Sequence, residues 1–179
     1  MKSLGWKFIL AGTVILLVGM GFQGGQDVPT PKMVSYVTPT AQPQEEVAVV
    51  FRVIDGDTID LKDGRRVRYI GINTPELSTE LKPTECYAQK AAEKNSLLVK
   101  DKPIRMKRDV SDMDAYGRLL RYVWVGDTFV NEYLVKEGYA HTMTIAPDVS
   151  YATMFKEDQA NAKALNLGLW GAGCAKSQK

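Results

Sequence analysis

The chain has 179 residues, 45% of them hydrophobic and 25% charged, the balance of an ordinary globular protein with enough apolar side chains for one core. Its formal net charge of +2 excludes the strong overall basic field that draws a protein non-specifically onto polyanions. Basic residues gather only locally, at Arg65, Arg66 and Arg68, at Arg105, Lys107 and Arg108, and at Arg118 and Arg121, and clusters of this size are ordinarily solvated strand faces.

The N-terminus departs from this average. Lys2 and Lys7 precede an uncharged stretch from Phe8 to Gly25 whose apolar centre is Ile9 to Val18. That is a positive region followed by a hydrophobic region of signal-peptide length, with a strongly apolar part shorter than the ~20 residues of a membrane span. Gly19-Met20-Gly21 is a poor cleavage site, and no Cys follows that could carry a lipid. Residues 1–25 are expected to be a cleaved signal or an uncleaved anchor attached through residues 8–25. Both place the remainder outside the cytoplasm, secreted or tethered to the membrane. Residues 26–46 carry Pro29, Pro31, Pro39 and Pro43 among Thr, Gln and Ser. Such a segment buries too little surface to offset its ordering entropy and reads as a flexible linker. A folded domain is expected over 47–173, with 174–179 a tail. The two cysteines, Cys86 and Cys174, match no zinc spacing; outside the cytoplasm they are disulfide candidates.

From Val47 the pattern is β. Val47 to Ile54 is a β-branched run, Asp55-Gly56 turns into Thr58 to Leu61, and Asp63-Gly64 is a hairpin signal leading to a strand over Arg66 to Ile72. Alternation puts Arg68 on the same face as Ile70 and Ile72, where a guanidinium needs a partner or a purpose. After Pro83-Thr84-Glu85, the residues Ala88, Ala91, Ala92, Asn95, Leu98 and Val99 recur at helical spacing. Strands follow at Ile104 to Val110 and Leu119 to Val125, with a Gly126-Asp127 turn into Phe129 and Val130. Asn131 is a candidate N-cap for a short helix that stops at Gly138. A last helix is expected from Tyr151 to Leu165, capped by Asp148 or Ser150 and stopped at Gly168, with Trp170 packing back on the core. Three strands, a helix, two strands and two helices fit an α+β protein built on a five-stranded OB-type barrel with three α-helices. An α+β sandwich fits the same pattern.

Four short segments, one of them Cys86-Tyr87 at the start of the first helix with the distant Leu169-Trp170-Gly171 tail, are set against phosphodiester chemistry, which needs positive charge on the phosphate, an activated water and stabilisation of the pentavalent centre. Asp55-Gly56-Asp57-Thr58 brings two carboxylates to a sharp turn, as a hard cation requires. In Arg68-Tyr69-Ile70-Gly71-Ile72-Asn73-Thr74-Pro75-Glu76, Pro75 holds Thr74 extended and stiffens the loop that carries Asn73 and Glu76. In Asp114-Ala115-Tyr116-Gly117-Arg118, an arginine opens a strand, and its planar fork can bond two phosphate oxygens. Each segment alone is compatible with a plain turn or a surface residue.

Together, in this order and spacing, these segments resemble the thermonuclease family, the staphylococcal nuclease-like proteins, over about Val47 to Trp170. The resemblance implies an OB barrel with three helices, and calcium-dependent hydrolysis of DNA and RNA that leaves 3′-phosphate ends. It implies Asp57, Asn73 and the Thr74 carbonyl as calcium ligands, Arg68 and Arg118 on the phosphate, Glu76 as the group activating water, and Tyr116 as a substrate contact. Single-stranded or unpaired substrates and a monomeric enzyme are expected. The position often occupied by aspartate in the second motif is Asn73 here, which predicts weaker calcium binding. Met143-Thr144-Ile145-Ala146 stands where relatives place tyrosines against the nucleotide, which predicts less base stacking. The lone His141 reads as a packing residue. A non-catalytic nucleic-acid- or protein-binding OB module tethered at the cell surface is the alternative; retention of Arg68, Glu76 and Arg118 argues for the enzyme.

Overall fold

The computed structural model describes residues 45–174. The expected signal or anchor, nearly all of the expected linker and the last five residues of the tail lie outside the described residues. The elements in chain order are β1 (Glu45–Val53), β2 (Thr58–Leu61), β3 (Arg66–Tyr69), β4 (Ile72–Asn73), α1 (Ala88–Val99), β5 (Pro103–Lys107), β6 (Leu119–Val125), β7 (Thr128–Phe129), α2 (Val130–Lys136), β8 (His141–Thr142) and α3 (Ala152–Ala164), followed by a 3₁₀ turn, Gly168–Trp170.

Antiparallel pairing runs β3-β2-β1-β5-β6, and a parallel pairing of β3 with β6 closes the five strands into a barrel. The α+β, OB-type expectation therefore holds, with three α-helices around the barrel. The inward positions are those that the alternation marks: Val50, Ile59, Leu61, Val67, Tyr69, Ile104, Met106 and Val123 are all essentially inaccessible. An aromatic layer joins the barrel to α3. Tyr122 meets Tyr151 edge to face at 4.6 Å, and Phe129 stacks on Trp124 at 4.4 Å and approaches Phe155 at 5.7 Å.

Four local expectations are corrected. The run from Arg66 to Ile72 is two strands, because the chain bends at Gly71, whose φ is 80° and whose missing Cβ leaves room for the Phe155 ring. The displaced β4 then pairs with β8, Asn73 opposite His141. β5 stops at Lys107 rather than Val110, because the Val110 and Ser111 amides donate to Asp148 Oδ1 at 3.0 and 2.8 Å. Asp148 is thus a loop tie and not a helix cap, and Ser150 is bound instead to Asp109. Asn131 is no cap either: it lies inside α2, fully buried, accepting from Val123 N and donating to Ile70 O, both at 2.9 Å. Of the expected apolar face of α1, Ala88, Ala91, Asn95 and Val99 are buried, whereas Ala92 and Leu98 are half-buried.

The C-terminal segment returns to the barrel. Leu169 is buried and its amide donates to Gly138 O. Trp170 is half-buried, with the half-buried His141 ring against its edge at 4.9 Å and Lys163 Nζ over its face at 4.4 Å. Cys86 and Cys174 form a disulfide, 88 residues apart in sequence with Cα atoms 5.6 Å apart.

Candidate active site

The site lies where β2, β3 and β4 leave the barrel and where the loop before β6 crosses them. Asp57 sits at its base. The β1–β2 turn is shaped by Asp55, whose Oδ1 accepts the Asp57 amide at 2.9 Å, and Asn95 of α1 holds the Asp55 carbonyl at 3.2 Å. Gly56 faces the Thr74 side chain so closely that any Cβ there would collide with it. The turn can therefore lie flat on Thr74. Asp57, only 3% exposed, accepts from Thr74 N at 2.7 Å and Thr74 Oγ1 at 3.0 Å through one oxygen, and faces Thr58 Oγ1 and Arg68 Nε, both at 3.1 Å, through the other. Burial pushes its carboxyl up to about 6, with the Asp55 charge adding to the effect and the Arg68 charge and Thr74 hydrogen bonds opposing it.

Arg68 has the partners that its position on an apolar face demands. Besides the Asp57 ion pair, Nη1 donates to the carbonyls of Tyr69 and Ile72 at 2.8 and 2.9 Å, and Nη2 donates to Asn73 Oδ1 at 2.8 Å. The bend at Gly71 turns both carbonyls onto the guanidinium, which is pinned and nearly saturated. Arg118 is held differently. Asp114 Oδ1 accepts the Tyr116 and Arg118 amides, and Asp114 Oδ2 accepts Arg118 Nε at 2.6 Å. Burial works to raise the Asp114 carboxyl, but these Arg118 and Tyr116 hydrogen bonds outweigh it and hold the group below its ordinary range. No protein acceptor binds the two Nη groups of Arg118 among the described residues, so its fork is open to a ligand. The supporting loop is tied down by buried Arg121, which donates to Asp112 O and Oδ1 at 3.0 and 2.7 Å.

Glu76 follows Pro75 at the rim, with its amide on Glu85 Oε2 at 3.0 Å. Its carboxyl is raised, first by partial burial and then by the charges of Asp55 and Glu85, against the pull of Arg68 and Arg118. Arg68, Asn73, Glu76, Tyr116 and Arg118 line one cleft of about 500 Å³, together with Met143, Ile145 and Ala146. Five of the predicted site residues thus meet in one depression. Asp57 and Thr74 are buried behind Arg68 and Asn73. Tyr116 is 85% exposed, with the Arg118 guanidinium 5.5 Å from its ring centre. The disulfide lies apart, lining a separate depression with Glu85 and Lys90. Several basic residues noted in the sequence are paired with acids: Arg65 with Glu46 and Asp63, Arg66 with Asp60, Arg105 with Glu45. In the cleft Arg118 is paired with Asp114 through Nε, and its Nη groups face the open side.

Sequence reasoning passes over Asp114 and Glu85 as site residues. The signal for Asp114 is its i, i+4 spacing from Arg118 across a glycine turn. Glu85 has none, because its role comes from a loop that returns on itself.

The Asp57 carboxylate, the Thr74 carbonyl and the Asn73 amide oxygen are oxygen donors of the kind a hard divalent cation takes, with Asp57 bonded to Thr74, Thr58 and Arg68 and Asn73 Oδ1 bonded to Arg68. Asp55 and Glu76 add negative charge, and the carboxyls of both Asp57 and Glu76 are raised first by burial and then, in part, by neighbouring acids, a cost that a nearby cation would offset. Among the described residues there is no group of three or more His, Cys, Asp or Glu that could hold a metal ion.

Residues 66–172 match the family model described as staphylococcal nuclease homologue. The chain is 36% identical over 129 residues to a thermonuclease of Staphylococcus hyicus, covering 70% of this chain and 76% of that protein. It is 34% identical over 165 residues to a thermonuclease of Staphylococcus intermedius, covering 90% and 94%. It is also 36% identical over 143 residues to the endonuclease YncB of Bacillus subtilis (strain 168), covering 74% and 66%. With its closed five-stranded barrel and the convergence of its arginines and acids on one cleft, the chain belongs to the staphylococcal nuclease family and is a nuclease hydrolase.

Proposed function

We propose that the chain is an exported, calcium-dependent phosphodiesterase that acts on single-stranded or unpaired DNA and RNA as a monomer and leaves 3′-phosphate ends. The observation that carries this reading is the meeting of Arg68, Glu76 and Arg118 in one cleft beside buried Asp57.

Asp57, Asn73 and the Thr74 carbonyl would hold the calcium ion, which when bound supplies Lewis-acid neutralisation of phosphate charge. The chain's own groups do the rest. Glu76 accepts the proton of the attacking water; its raised carboxyl makes it a better base than an ordinary surface glutamate. Arg118 offers its open fork to two phosphate oxygens, and its bonds strengthen as charge builds on them in the pentavalent state. Arg68, fixed by three protein acceptors and the Asp57 ion pair, presents a preorganised positive charge whose alignment needs no further ordering at the moment of reaction. Cleavage of the bond from phosphorus to the 5′-oxygen leaves the phosphate on the 3′ side. Tyr116 contacts the sugar-phosphate chain beside Arg118. Met143 and Ile145, exposed in the same cleft, receive a base by apolar contact instead of aromatic stacking, which favours an unpaired strand that can splay its bases.

Export is supported by the hydrophobic segment after Lys2 and Lys7 and by the Cys86–Cys174 pairing, since disulfides persist in oxidising compartments. The test is cleavage of denatured DNA and of RNA by the wild type, Glu76→Gln and Arg118→Ala, each with calcium and with a chelator. Turnover is expected to vanish with chelator and to fall by roughly 10²–10³-fold in each variant. Equal turnover in all three proteins, or turnover indifferent to the chelator, overturns the proposal.

A further inference from the structure

The cleft is bonded into the fold at Asp57, Arg68 and Arg118 and bordered at Glu76 by an exposed loop. Asp57 and Thr74 are buried, Arg68 is bonded to its own strand exit, and Arg118 is held by Asp114 and a tied loop. Glu76, by contrast, begins a stretch, residues 76–87, that contains no helix or strand and is exposed along nearly its whole length. Leu81 at its tip is 93% exposed. The stretch is a loop with a neck. Glu76 N donates to Glu85 Oε2 at 3.0 Å, and Glu85 N donates to Glu76 O at 2.9 Å. Inside the loop, a few further bonds among exposed residues join Ser78 to Thr84 and Thr79 to Lys82.

Two exposed hydrogen bonds compete with water and do not hold a neck closed by themselves. The next residue, Cys86, is covalently joined to Cys174. That end is itself fixed: Cys174 N donates to Gly171 O, Leu169 is buried with its amide on Gly138 O, and Trp170 is clasped between His141 and Lys163. Through this chain of contacts the far side of the neck is fastened to the body of the protein two residues before α1 begins.

We propose that Glu85 and the Cys86–Cys174 disulfide are a positioning device for Glu76, so that turnover depends on the oxidation state of a bond outside the cleft. The proposal rests on the reading of Glu76 as the group that activates water. With the bond closed, Glu85 is fixed and its carboxylate and amide set the backbone of Glu76. With the bond reduced to two thiols by a dithiol, which is oxidised to its own disulfide with transfer of two electrons and two protons, the neck opens and the base loses its alignment. Substrate binding, carried by Arg68, Arg118 and Tyr116 on other segments, is left in place. Glu85 touches no reacting atom; it acts only through Glu76.

The experiment measures kcat and KM of the full chain before and after dithiol reduction, at a temperature where circular dichroism shows both forms folded. The expected result is a fall in kcat of roughly tenfold or more, since small misplacements of a catalytic group are costly, with KM changed less than about threefold. In a Glu76→Gln background reduction is expected to have no further effect on the residual rate, a coupling that general loosening of the fold does not produce. Glu85→Gln, which retains an oxygen acceptor for the Glu76 amide, is expected to keep kcat, whereas Glu85→Ala lowers it in the oxidised protein; this pair decides the matter if the reduced protein unfolds. An unchanged kcat on reduction, or an equal loss in both Glu85 variants, with Glu76→Gln impaired, overturns this proposal alone. Full activity in Glu76→Gln overturns it together with the reading on which it rests.

Discussion

Asn131→Leu is the substitution whose cost the structure defines most sharply. Leucine has the same number of side-chain heavy atoms in the same branched arrangement, so no cavity opens, and the change removes a buried acceptor and a buried donor at once. Val123 N–H and Ile70 C=O, each bonded to Asn131 at 2.9 Å, are left facing an isobutyl group in a fully buried site. An orphaned buried polar group costs about 1–3 kcal/mol, so the pair costs roughly 2–6 kcal/mol, a large share of the ~5–15 kcal/mol that holds an ordinary domain folded. At roughly 4 °C per kcal/mol for a domain of this size, the midpoint of thermal unfolding falls by about 8–24 °C. Urea unfolding followed by the fluorescence of Trp124 and Trp170 reads the free energy directly. Activity adds a second readout. Ile70 lies in the bend that presents the Tyr69 and Ile72 carbonyls to Arg68, so kcat falls even at temperatures where the variant is fully folded. A stability loss under about 1 kcal/mol with normal kcat would refute the view that Asn131 is the clamp between α2, β6 and that bend.

Two more predictions concern the acids and their metal. Asn73→Asp adds a carboxylate to the oxygen donor set and is expected to tighten calcium, lowering the half-saturating concentration in an activity titration by several-fold; an unchanged or raised value counts against Asn73 as a ligand. Asp57 has its carboxyl raised to about 6 by burial, so the folded state prefers the protonated form. Its contribution to stability is most favourable below about pH 4, where the group is protonated in both states, and worsens as pH rises from there to about 6. Asp57→Asn leaves no group to ionise there, so the stability of the metal-free variant relative to wild type is expected to be greater at pH 7 than near pH 4. Equal gains at both values in urea titrations would show that ionisation is not the cause.

The barrel was legible because its signals are local. β-branched runs bounded by Asp-Gly turns mark β1, β2 and β3, and the expected β6, Leu119 to Val125, is the observed one. Misreadings arose where a distant side chain decides the outcome. Phe155 of α3 occupies the space at Gly71 and breaks an apparent strand in two. Asp148 draws Val110 and Ser111 out of β5 from nearly 40 residues away. Asn131 has the composition of a cap, yet its partners lie on β6 and the Ile70 bend, which helix-start signals do not reveal. In the site, the motif residues Arg68, Glu76 and Arg118 were readable because their order and spacing form a pattern. Asp114 and Glu85 escaped because each serves another residue by a hydrogen bond that exists only once the loop has folded back.

The parallel pairing of β3 with β6 has a kinetic corollary. Val67 lies opposite Leu119, and Arg68 opposite Leu120, so Arg68 and Arg118 become neighbours only when two strands about fifty residues apart in sequence meet. Non-local pairings of this kind form late, after loop-closure entropy has been overcome. The cleft therefore exists only once that seam has closed: an unfolded chain carries Arg68 and Arg118 but does not hold them side by side.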